Sequence, residues 1–229
     1  MGQYNEYRKN WIKKESPAEK KKRAAKILAG LDKLNPESKT ALLYKTPMQM
    51  LAAVILSAQA TDKMVNIVTA ELFKKYKTPK DFANANPKIF SKEISRIGLY
   101  QTKAKAIIAT AKLIEKNFGG KIPKTIEDLI TLRGVGRKTA SIVLWNVHEL
   151  IGGIAVDTHV RRVSQRLGLT KHDDPNKIEK DLMEIYKDKK EMWPKVNTLF
   201  IDHGRAVCQA RSPKCVICPL NKICPSAKT

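Results

Sequence analysis

The residues of this chain that are best suited to hold a metal are its four cysteines, which all lie in the C-terminal stretch. Their spacing is C-x6-C-x2-C-x5-C, at Cys208, Cys215, Cys218 and Cys224. Disulfides explain such clustering poorly in a chain that has no secretory signal. Four thiolates suit either a structural zinc ion or a [4Fe–4S] cluster, and the spacing alone leaves both open. Arg211 and Lys214 lie between the first two cysteines, where they could also contact phosphates.

A glycine-containing turn is predicted between two helices just before residue 137. It reads Arg133-Gly134-Val135-Gly136 and is followed by Arg137-Lys138-Thr139. Two glycines two positions apart permit positive φ and let the backbone approach another molecule closely. The N–H groups of the turn and of the following helix would form an anion site suited to a DNA phosphate. The alternative is a plain helix–helix turn, but the flanking helices and the basic residues favour the anion site.

Lys138 is the candidate nucleophile, because it falls in the first turn of the second predicted helix. The positive end of the helix dipole, together with Arg137, disfavours an ammonium at this position. A neutral amine can attack a sugar carbon and form a Schiff base. The alternative is a lysine that only contacts a phosphate, as many others in this basic chain would.

Asp157 is the candidate carboxylate. It follows the apolar run Ile154-Ala155-Val156 and precedes a helix rich in arginine. Its position is that of an N-cap, and capping alone would explain it. A carboxylate held there can also stabilise positive charge that develops on a sugar ring, or manage the protons of an amine. The two roles are compatible.

The overall charge indicates a polyanionic partner. The chain has 44 Lys and Arg against 22 Asp and Glu, a net charge of +22 and a pI near 9.9. Such a surplus favours nucleic acid, because the release of counterions from phosphates supplies much of the affinity of such complexes. A lysine-rich source and an anionic membrane surface are the weaker explanations. With no apolar run long enough to cross a bilayer and no secretory signal, we expect an intracellular protein without a membrane contact.

The elements that must position these residues read as helices. Proline-containing N-cap signals recur, as at Ser16-Pro17-Ala18-Glu19, while strand signals are scarce, so the predicted fold class is all-α with about ten short helices. The apolar stretch MLAAVIL, residues 50–56, is predicted to be a buried helix. Helix ends are predicted at Gly98, Gly119-Gly120 and Gly168. Residues 1–15 read as a polar, mobile tail, and the best breaks between domains lie near Lys39 and at Gly152-Gly153.

Taken in order, these features resemble the endonuclease III family of helix–hairpin–helix DNA glycosylases over residues 18–225. LSAQATD (residues 56–62) is similar to the family segment that reaches into the duplex, and IGLY (97–100) to its wedge loop. LRGVGRKTA (132–140) is similar to its hairpin, and AVDTHV (155–160) to the loop that bears its aspartate. HGRAVC (203–208) with the cysteine spacing resembles the entry to its iron–sulfur cluster, and is the most specific part.

The resemblance implies two all-α lobes with a DNA cleft between them. One, with six helices, would span residues 40–150, and the other would combine residues 1–39 with 151–229. Gln59 and Leu99 would fill the space left when a damaged nucleotide is flipped out. Lys138 would attack C1′ and nick the strand by β-elimination, with Asp157 supporting the charged transition state. The cysteines would hold a [4Fe–4S] cluster, which would bind DNA and stabilise its lobe without taking part in the chemistry.

The resemblance further implies a monomer that acts on double-stranded DNA with damaged bases or abasic sites, in the cytoplasm and at the nucleoid if the source is prokaryotic. Relatives that only remove bases commonly have Ser or Tyr in place of the lysine, so Lys138 favours a bifunctional glycosylase and lyase for oxidised pyrimidines. A monofunctional or mismatch-directed glycosylase, and a non-catalytic DNA-binding or redox-sensing iron–sulfur protein, are the alternatives. Arg133 departs from the usual proline, which would loosen the hairpin slightly. His159 could orient Asp157 or contact a phosphate.

Overall fold

The computed structural model describes residues 7–228, and within this range it contains helices and no β-strand. The predicted all-α class is confirmed. Eleven α-helices and three short 3-10 helices are present in these residues. The α-helices are α1 Pro17–Leu34, α2 Pro47–Ser57, α3 Asp62–Lys75, α4 Pro79–Ala83, α5 Pro87–Glu93, α6 Tyr100–Phe118, α7 Ile126–Ile130, α8 Arg137–His148, α9 Thr158–Arg166, α10 Pro175–Ile185 and α11 Trp193–Ala206. The 3-10 helices are Asn10–Lys13, Lys187–Met192 and Asn221–Ile223.

Local capping determines where most of these helices begin, as the sequence predicts. The Ser16 hydroxyl accepts from the N–H of Glu19, whose carboxylate in turn accepts from the N–H of Ser16, so α1 starts with a capping box. An N-cap side chain accepts from a backbone N–H at the start of seven further helices, at Thr46, Thr61, Thr78, Asn86, Thr125, Asp157 and Asp174. Each cap satisfies an N–H group that has no partner within its helix.

Two of the three predicted helix ends are close to the observed ones. Gly119 (φ 57°) ends α6, and Gly168 (φ 67°) lies two residues beyond the end of α9. The prediction at Gly98 is wrong, because α5 already ends at Glu93. Gly98 lies in the turn that leads into α6 instead, and its φ is not positive.

The chain forms two compact units. One comprises residues 40–152 and is called the hairpin unit below. The other comprises the described residues among 1–39 and 153–229 and is called the cysteine unit. The hairpin unit contains seven α-helices rather than the six expected, because Asn84 ends α4 and the Asn86 cap starts α5 anew.

The core of the hairpin unit surrounds α2. Every residue from Met48 to Leu56 is buried, so the predicted buried helix is confirmed. Helices α3, α6 and α8 pack against α2. A helix that is apolar on all sides needs neighbours on all sides, and this requirement gives α2 its central position.

The core of the cysteine unit is formed by α1, α9, α10 and α11. The N-terminal residues 7–15 join this unit and are not the mobile tail that their polarity suggests, while residues 1–6 of that predicted tail lie outside the described range. The N–H groups of Arg8 and Lys9 both donate to the carbonyl of Pro225, at 2.8 and 3.1 Å. The Trp11 ring covers the guanidinium of Arg23 at 5.2 Å.

Residues 7–15 are held in place by a buried ion pair. Arg23 Nε lies 2.6 Å from a carboxylate oxygen of Glu15, and both side chains are less than a tenth exposed. Arg23 Nη1 also donates to the carbonyl of Leu167. A buried guanidinium needs all of these partners, because an unpaired charge in the interior is costly.

Among the described residues, no helix is both long and apolar enough to cross a membrane.

Candidate active site and metal centre

The predicted helix–turn–helix is present, with α7 and α8 joined by the turn at residues 131–136. Gly134 has a φ of +82°, and a Cβ atom at this position would lie 3.3 Å from the Cβ of Ala106. The buried hydroxyl of Thr110 donates to the carbonyl of Arg133 at 2.9 Å. Helix α6 therefore holds the turn in place, by the close contact of Ala106 with Gly134 and by the hydrogen bond from Thr110. Arg133, in place of the proline expected from the resemblance, occurs in a well-fixed turn.

Two details of the turn differ from the sequence-based prediction. Gly136 has a φ of −95° and open space where a Cβ would stand, so of the two glycines only Gly134 requires the left-handed region. Val135 was expected to contact DNA, but its side chain is buried in the core and its N–H donates to the carbonyl of Leu132. Its apolar side chain therefore fixes the turn from inside, and the DNA contact predicted at Val135 would have to involve its main chain.

Lys138 is exposed and is the second residue of α8. Gly136, the N-cap, has no side chain with which to cap the helix, so no side chain accepts a hydrogen bond from the first N–H groups of α8. These donors can bind an anion at the turn. Arg133 and Arg137 are also exposed, and Thr139 is half-buried. The exposed surface of the turn thus combines main-chain donors, two guanidinium groups and one amine. Such a surface is suited to an anion, with an amine beside it.

Gln59 and Leu99, the two residues expected to enter the duplex, are both exposed and both strained. Their φ values are 56° and 58°, and within residues 7–228 only Glu149 is another non-glycine residue with positive φ. A Cβ atom at position 98 would lie 4.0 Å from the carbonyl oxygen of Gln59, so the two turns are neighbours. Left-handed backbone at such residues costs about 1–3 kcal/mol and concentrates at functional sites.

Asp157 is the N-cap of α9, and its Oδ1 accepts from the N–H of Val160 at 2.8 Å. Its side chain is half-buried. The preceding segment is held by α11, because the Asn197 amide donates to the carbonyl of Ala155 at 2.7 Å. The capping bond uses one carboxylate oxygen, so the group is well oriented while its second oxygen can face another partner.

His159 contacts Arg162, with 3.1 Å between Nη2 of Arg162 and Nδ1 of the ring. A guanidinium can only donate, so Nδ1 accepts, and the neutral ring carries its hydrogen on Nε2. Arg162 is buried and also donates to the carbonyls of Gly204 and Cys208, each at 3.0 Å. It connects α9 to the end of α11 and to the first cysteine.

The four cysteines form no disulfide with one another and line one cavity of about 140 Å³. His203 also lines it, with Nε2 3.8 Å from the Sγ of Cys218, and burial lowers the pKa of this histidine to about 4. Burial raises the pKa of the Cys224 thiol to about 11. Iron or zinc would have to displace that proton, as metals bound by thiolates do.

The donor set fits a [4Fe–4S] cluster, because four cysteines line one cavity and four thiolates are the ligands that such a cluster takes. Arg166 Nη1 donates to the Sγ of Cys208 at 3.4 Å and to the carbonyl of Gln209 at 2.7 Å, which would offset the charge of the thiolates. Arg211 and Lys214 line the same cavity and are exposed.

Several supporting residues escape sequence reasoning. Asn197, Arg162 and Arg166 act through main-chain contacts, which no motif records. Lys103 does leave a signal, because it occupies the apolar stripe of α6 with Ile107 and Ala111 at intervals of four. A lysine at a core position must find partners, and its partners are described below.

Comparison with known proteins agrees with this geometry. Residues 52–188 match the family model of the HhH-GPD superfamily base excision DNA repair protein, and residues 208–224 match the iron-sulfur binding domain of endonuclease III. Endonuclease III of Synechocystis is 45% identical over 92% of this chain and 95% of its own length. A non-covalent endonuclease III–DNA complex and a trapped endonuclease III–DNA covalent intermediate each superpose with a TM-score of 0.85 at 39% identity, covering 90% of this chain and 96% of theirs.

The fold and the site define a helix–hairpin–helix protein of base excision repair with a C-terminal iron–sulfur domain. The chain belongs to the endonuclease III family. It is a DNA glycosylase with abasic-site lyase activity, and its cofactor is a [4Fe–4S] cluster. The zinc site and the non-catalytic binding protein that the spacing and charge left open are thereby excluded.

Proposed function

We propose that this enzyme removes oxidised pyrimidines from double-stranded DNA and then nicks the strand at the resulting abasic site. Lys138 is the nucleophile and Asp157 the supporting carboxylate. The enzyme acts as a monomer in the cytoplasm, bound to the DNA that it surveys. The observation that carries the proposal is the exposed Lys138 amine beside the uncapped N-terminus of α8, where a phosphate can bind.

The chemistry begins when the Lys138 amine attacks C1′ of the damaged nucleotide. The bond between C1′ and the base breaks, and the base leaves with the electron pair and takes up a proton. Loss of the amine proton and opening of the sugar give a Schiff base between Nζ and C1′. Removal of a proton from C2′ then expels the 3′ phosphate by β-elimination, and water releases the enzyme.

Asp157 supports the steps in which positive charge develops. Its Oδ1 is held by the Val160 N–H, so the carboxylate has a fixed orientation at no further cost in entropy. The free oxygen stabilises a cationic sugar or accepts the proton that the amine loses. Capping and catalysis therefore use different oxygens of one side chain.

DNA contacts follow from exposure and charge. The N–H groups at the start of α8 bind one phosphate, with Gly136 allowing close approach, Gly134 shaping the turn, and Arg133, Arg137 and Thr139 around them. Gln59 and Leu99 enter the space that the extruded nucleotide leaves. In the cysteine unit, His159, Arg211 and Lys214 contact the backbone. The [4Fe–4S] cluster is held by Cys208, Cys215, Cys218 and Cys224. It fixes the loop that contains Arg211 and Lys214.

Borohydride trapping tests the nucleophile. Enzyme is incubated with duplex DNA that carries one defined lesion, and a reduced Schiff base appears as a covalent protein–DNA adduct. Lys138→Ala should abolish the adduct, whereas Lys116→Ala, an exposed lysine on α6, should not change it. An adduct of unchanged yield in Lys138→Ala refutes the assignment. Activity on G·T mismatches in preference to oxidised pyrimidines, across a panel of such duplexes, refutes the proposed substrate class.

A further inference from the structure

Lys103 is a buried lysine that the chemistry proposed above does not use. Its side chain is 5% exposed, although it lies in the first turn of α6 near the protein surface. The ammonium donates to the carbonyl of Leu56 at 2.9 Å and to that of Ala58 at 2.5 Å. Burial lowers the pKa of Lys103. Burying a lysine at an apolar position is costly in free energy, and these two hydrogen bonds offset part of that cost.

The two carbonyl groups belong to the turn that carries Gln59. Helix α2 ends at Ser57, and the last carbonyls of a helix have no partner within it and carry the negative end of its dipole. Ala58 leaves the helical conformation with a ψ of 116°, and Gln59 follows with its positive φ. The Lys103 ammonium therefore binds the main chain on the N-terminal side of the strained Gln59.

The same residue is tied to the turn that carries Leu99. The N–H of Lys103 donates to the carbonyl of Leu99 at 3.0 Å, which closes the first turn of α6 on its left-handed N-cap. The apolar side chain of Leu99 cannot cap the helix. One residue thus binds both strained turns, by its main chain on one side and by its side chain on the other.

We propose that Lys103 is a positioning residue for base extrusion, which fixes the Gln59 turn against the Leu99 turn so that the two exposed side chains enter the duplex as one rigid unit. This inference rests on the proposed function. Two side chains that must fill one gap are effective only if their separation is preset, because ordering them at the moment of binding would cost entropy. The ammonium is a strong donor at the negative end of α2, and it holds that separation.

The proposal predicts different effects on two substrates. Release of an oxidised pyrimidine requires extrusion of the damaged nucleotide, whereas an abasic site has no base to unstack. Lys103→Met keeps the unbranched shape and most of the length of the side chain and removes its donors. We expect it to slow single-turnover release of thymine glycol from duplex DNA by about tenfold or more, and to slow nicking of the same duplex with a preformed abasic site by less than about threefold. Lys105→Met, the same change at an exposed position on α6, should alter neither rate.

A spectroscopic signal and a double-mutant cycle separate positioning from general loss of structure. In duplexes with 2-aminopurine beside the lesion, the rise in fluorescence that reports unstacking should be smaller with Lys103→Met than with the wild type. In a Gln59→Ala/Leu99→Ala background, Lys103→Met should have no further effect on base release, because its effect acts through those side chains. Lys103→Arg retains the donors and should recover the ratio of the two rates, and this variant tests the proposal if the methionine variant does not fold.

Equal slowing on both substrates, an undiminished fluorescence rise, or a full additional effect in the double-alanine background would each overturn the role of Lys103. A wild-type enzyme that releases no oxidised pyrimidine, yet nicks abasic DNA normally, would instead overturn the proposed substrate. The two failures are therefore distinguishable in the same set of reactions.

Discussion

Replacing Gly134 by alanine should destabilise the hairpin unit, while the same change at Gly136 should weaken DNA binding instead. The two glycines form one motif in the sequence, but their surroundings differ. Gly134 has φ +82° and faces α6 and α2, whereas Gly136 has φ −95° and faces open space. The motif thus combines one glycine that the fold requires and one that a ligand would require.

The magnitude for Gly134→Ala has two parts. A left-handed conformation costs a non-glycine residue about 1–2 kcal/mol. The new Cβ would lie 3.3 Å from the Cβ of Ala106, a tight contact between two groups on fixed backbone. Overpacking of this kind costs about 1 kcal/mol or more. The free energy of unfolding should therefore fall by about 2–3 kcal/mol, which lowers the melting temperature by roughly 4–12 °C in a protein of this size.

For Gly136→Ala the expected effects are reversed. Alanine is a poorer N-cap than glycine by about 0.5–1 kcal/mol, so the melting temperature should fall by only about 1–4 °C. A Cβ at the mouth of the turn would obstruct main-chain donors that face a phosphate, and a charge-assisted hydrogen bond contributes about 1.5–3 kcal/mol. The dissociation constant for abasic-site DNA should rise by about tenfold or more.

Thermal unfolding followed by circular dichroism and a binding titration at fixed salt measure both quantities for both variants. Wild-type melting of Gly134→Ala would refute the argument from φ and from the contact with Ala106. Unchanged DNA affinity of Gly136→Ala would refute the idea that the turn presents its N–H groups to a phosphate. Similar losses in both properties for both variants would mean that the motif acts as one structural unit.

Two further predictions concern the cysteine unit. Gly204→Ala would place a Cβ 2.9 Å from Nδ1 of His159 and 3.0 Å from Nη2 of Arg162, so we expect a lower melting temperature and less iron bound per protein. Gly30→Ala is the control: Gly30 lies inside α1, and its new Cβ would be 3.6 Å from Cδ2 of Leu220. This variant should keep its iron and its melting temperature, or become slightly more stable. Removal of residues 1–9 deletes the contacts to Pro225 and should speed the loss of the visible cluster absorbance in air several-fold, and an unchanged rate would show that residues 7–9 do not protect the cluster.

Features that depend on neighbours in the chain could be predicted from the sequence. Ser16, Thr78 and Asn86 each cap the helix that directly follows, because an N-cap is a local contact between a side chain and N–H groups two or three residues on. The all-α class follows from the recurrence of such signals. The order of the hairpin, the aspartate loop and the cysteines likewise indicated the family.

Features that depend on contacts across the fold could not be predicted in this way. Val135 looks like part of a binding motif, and only the packing of the hairpin unit shows that it is buried. Residues 7–15 look like a mobile tail because they are polar, yet the buried pair of Glu15 and Arg23 holds them in place. In both cases the deciding contacts form only in the folded unit, such as those of Arg23 with the carbonyl of Leu167 and of Arg8 with that of Pro225, which composition and spacing do not reveal.

The two lysines to which functions are assigned here show why position decides more than residue type in so basic a chain. Burial makes Lys103 look like the better candidate for a nucleophile, since a desolvated amine loses its proton more easily. Its donors, however, are bonded to the carbonyls of Leu56 and Ala58, so it has no route to a sugar carbon. Lys138 is exposed beside a turn that can bind a phosphate, so a bound strand would bring the sugar to its amine. In the two proposals, catalysis therefore uses the lysine that the fold leaves accessible, and extrusion uses the one that the fold has buried.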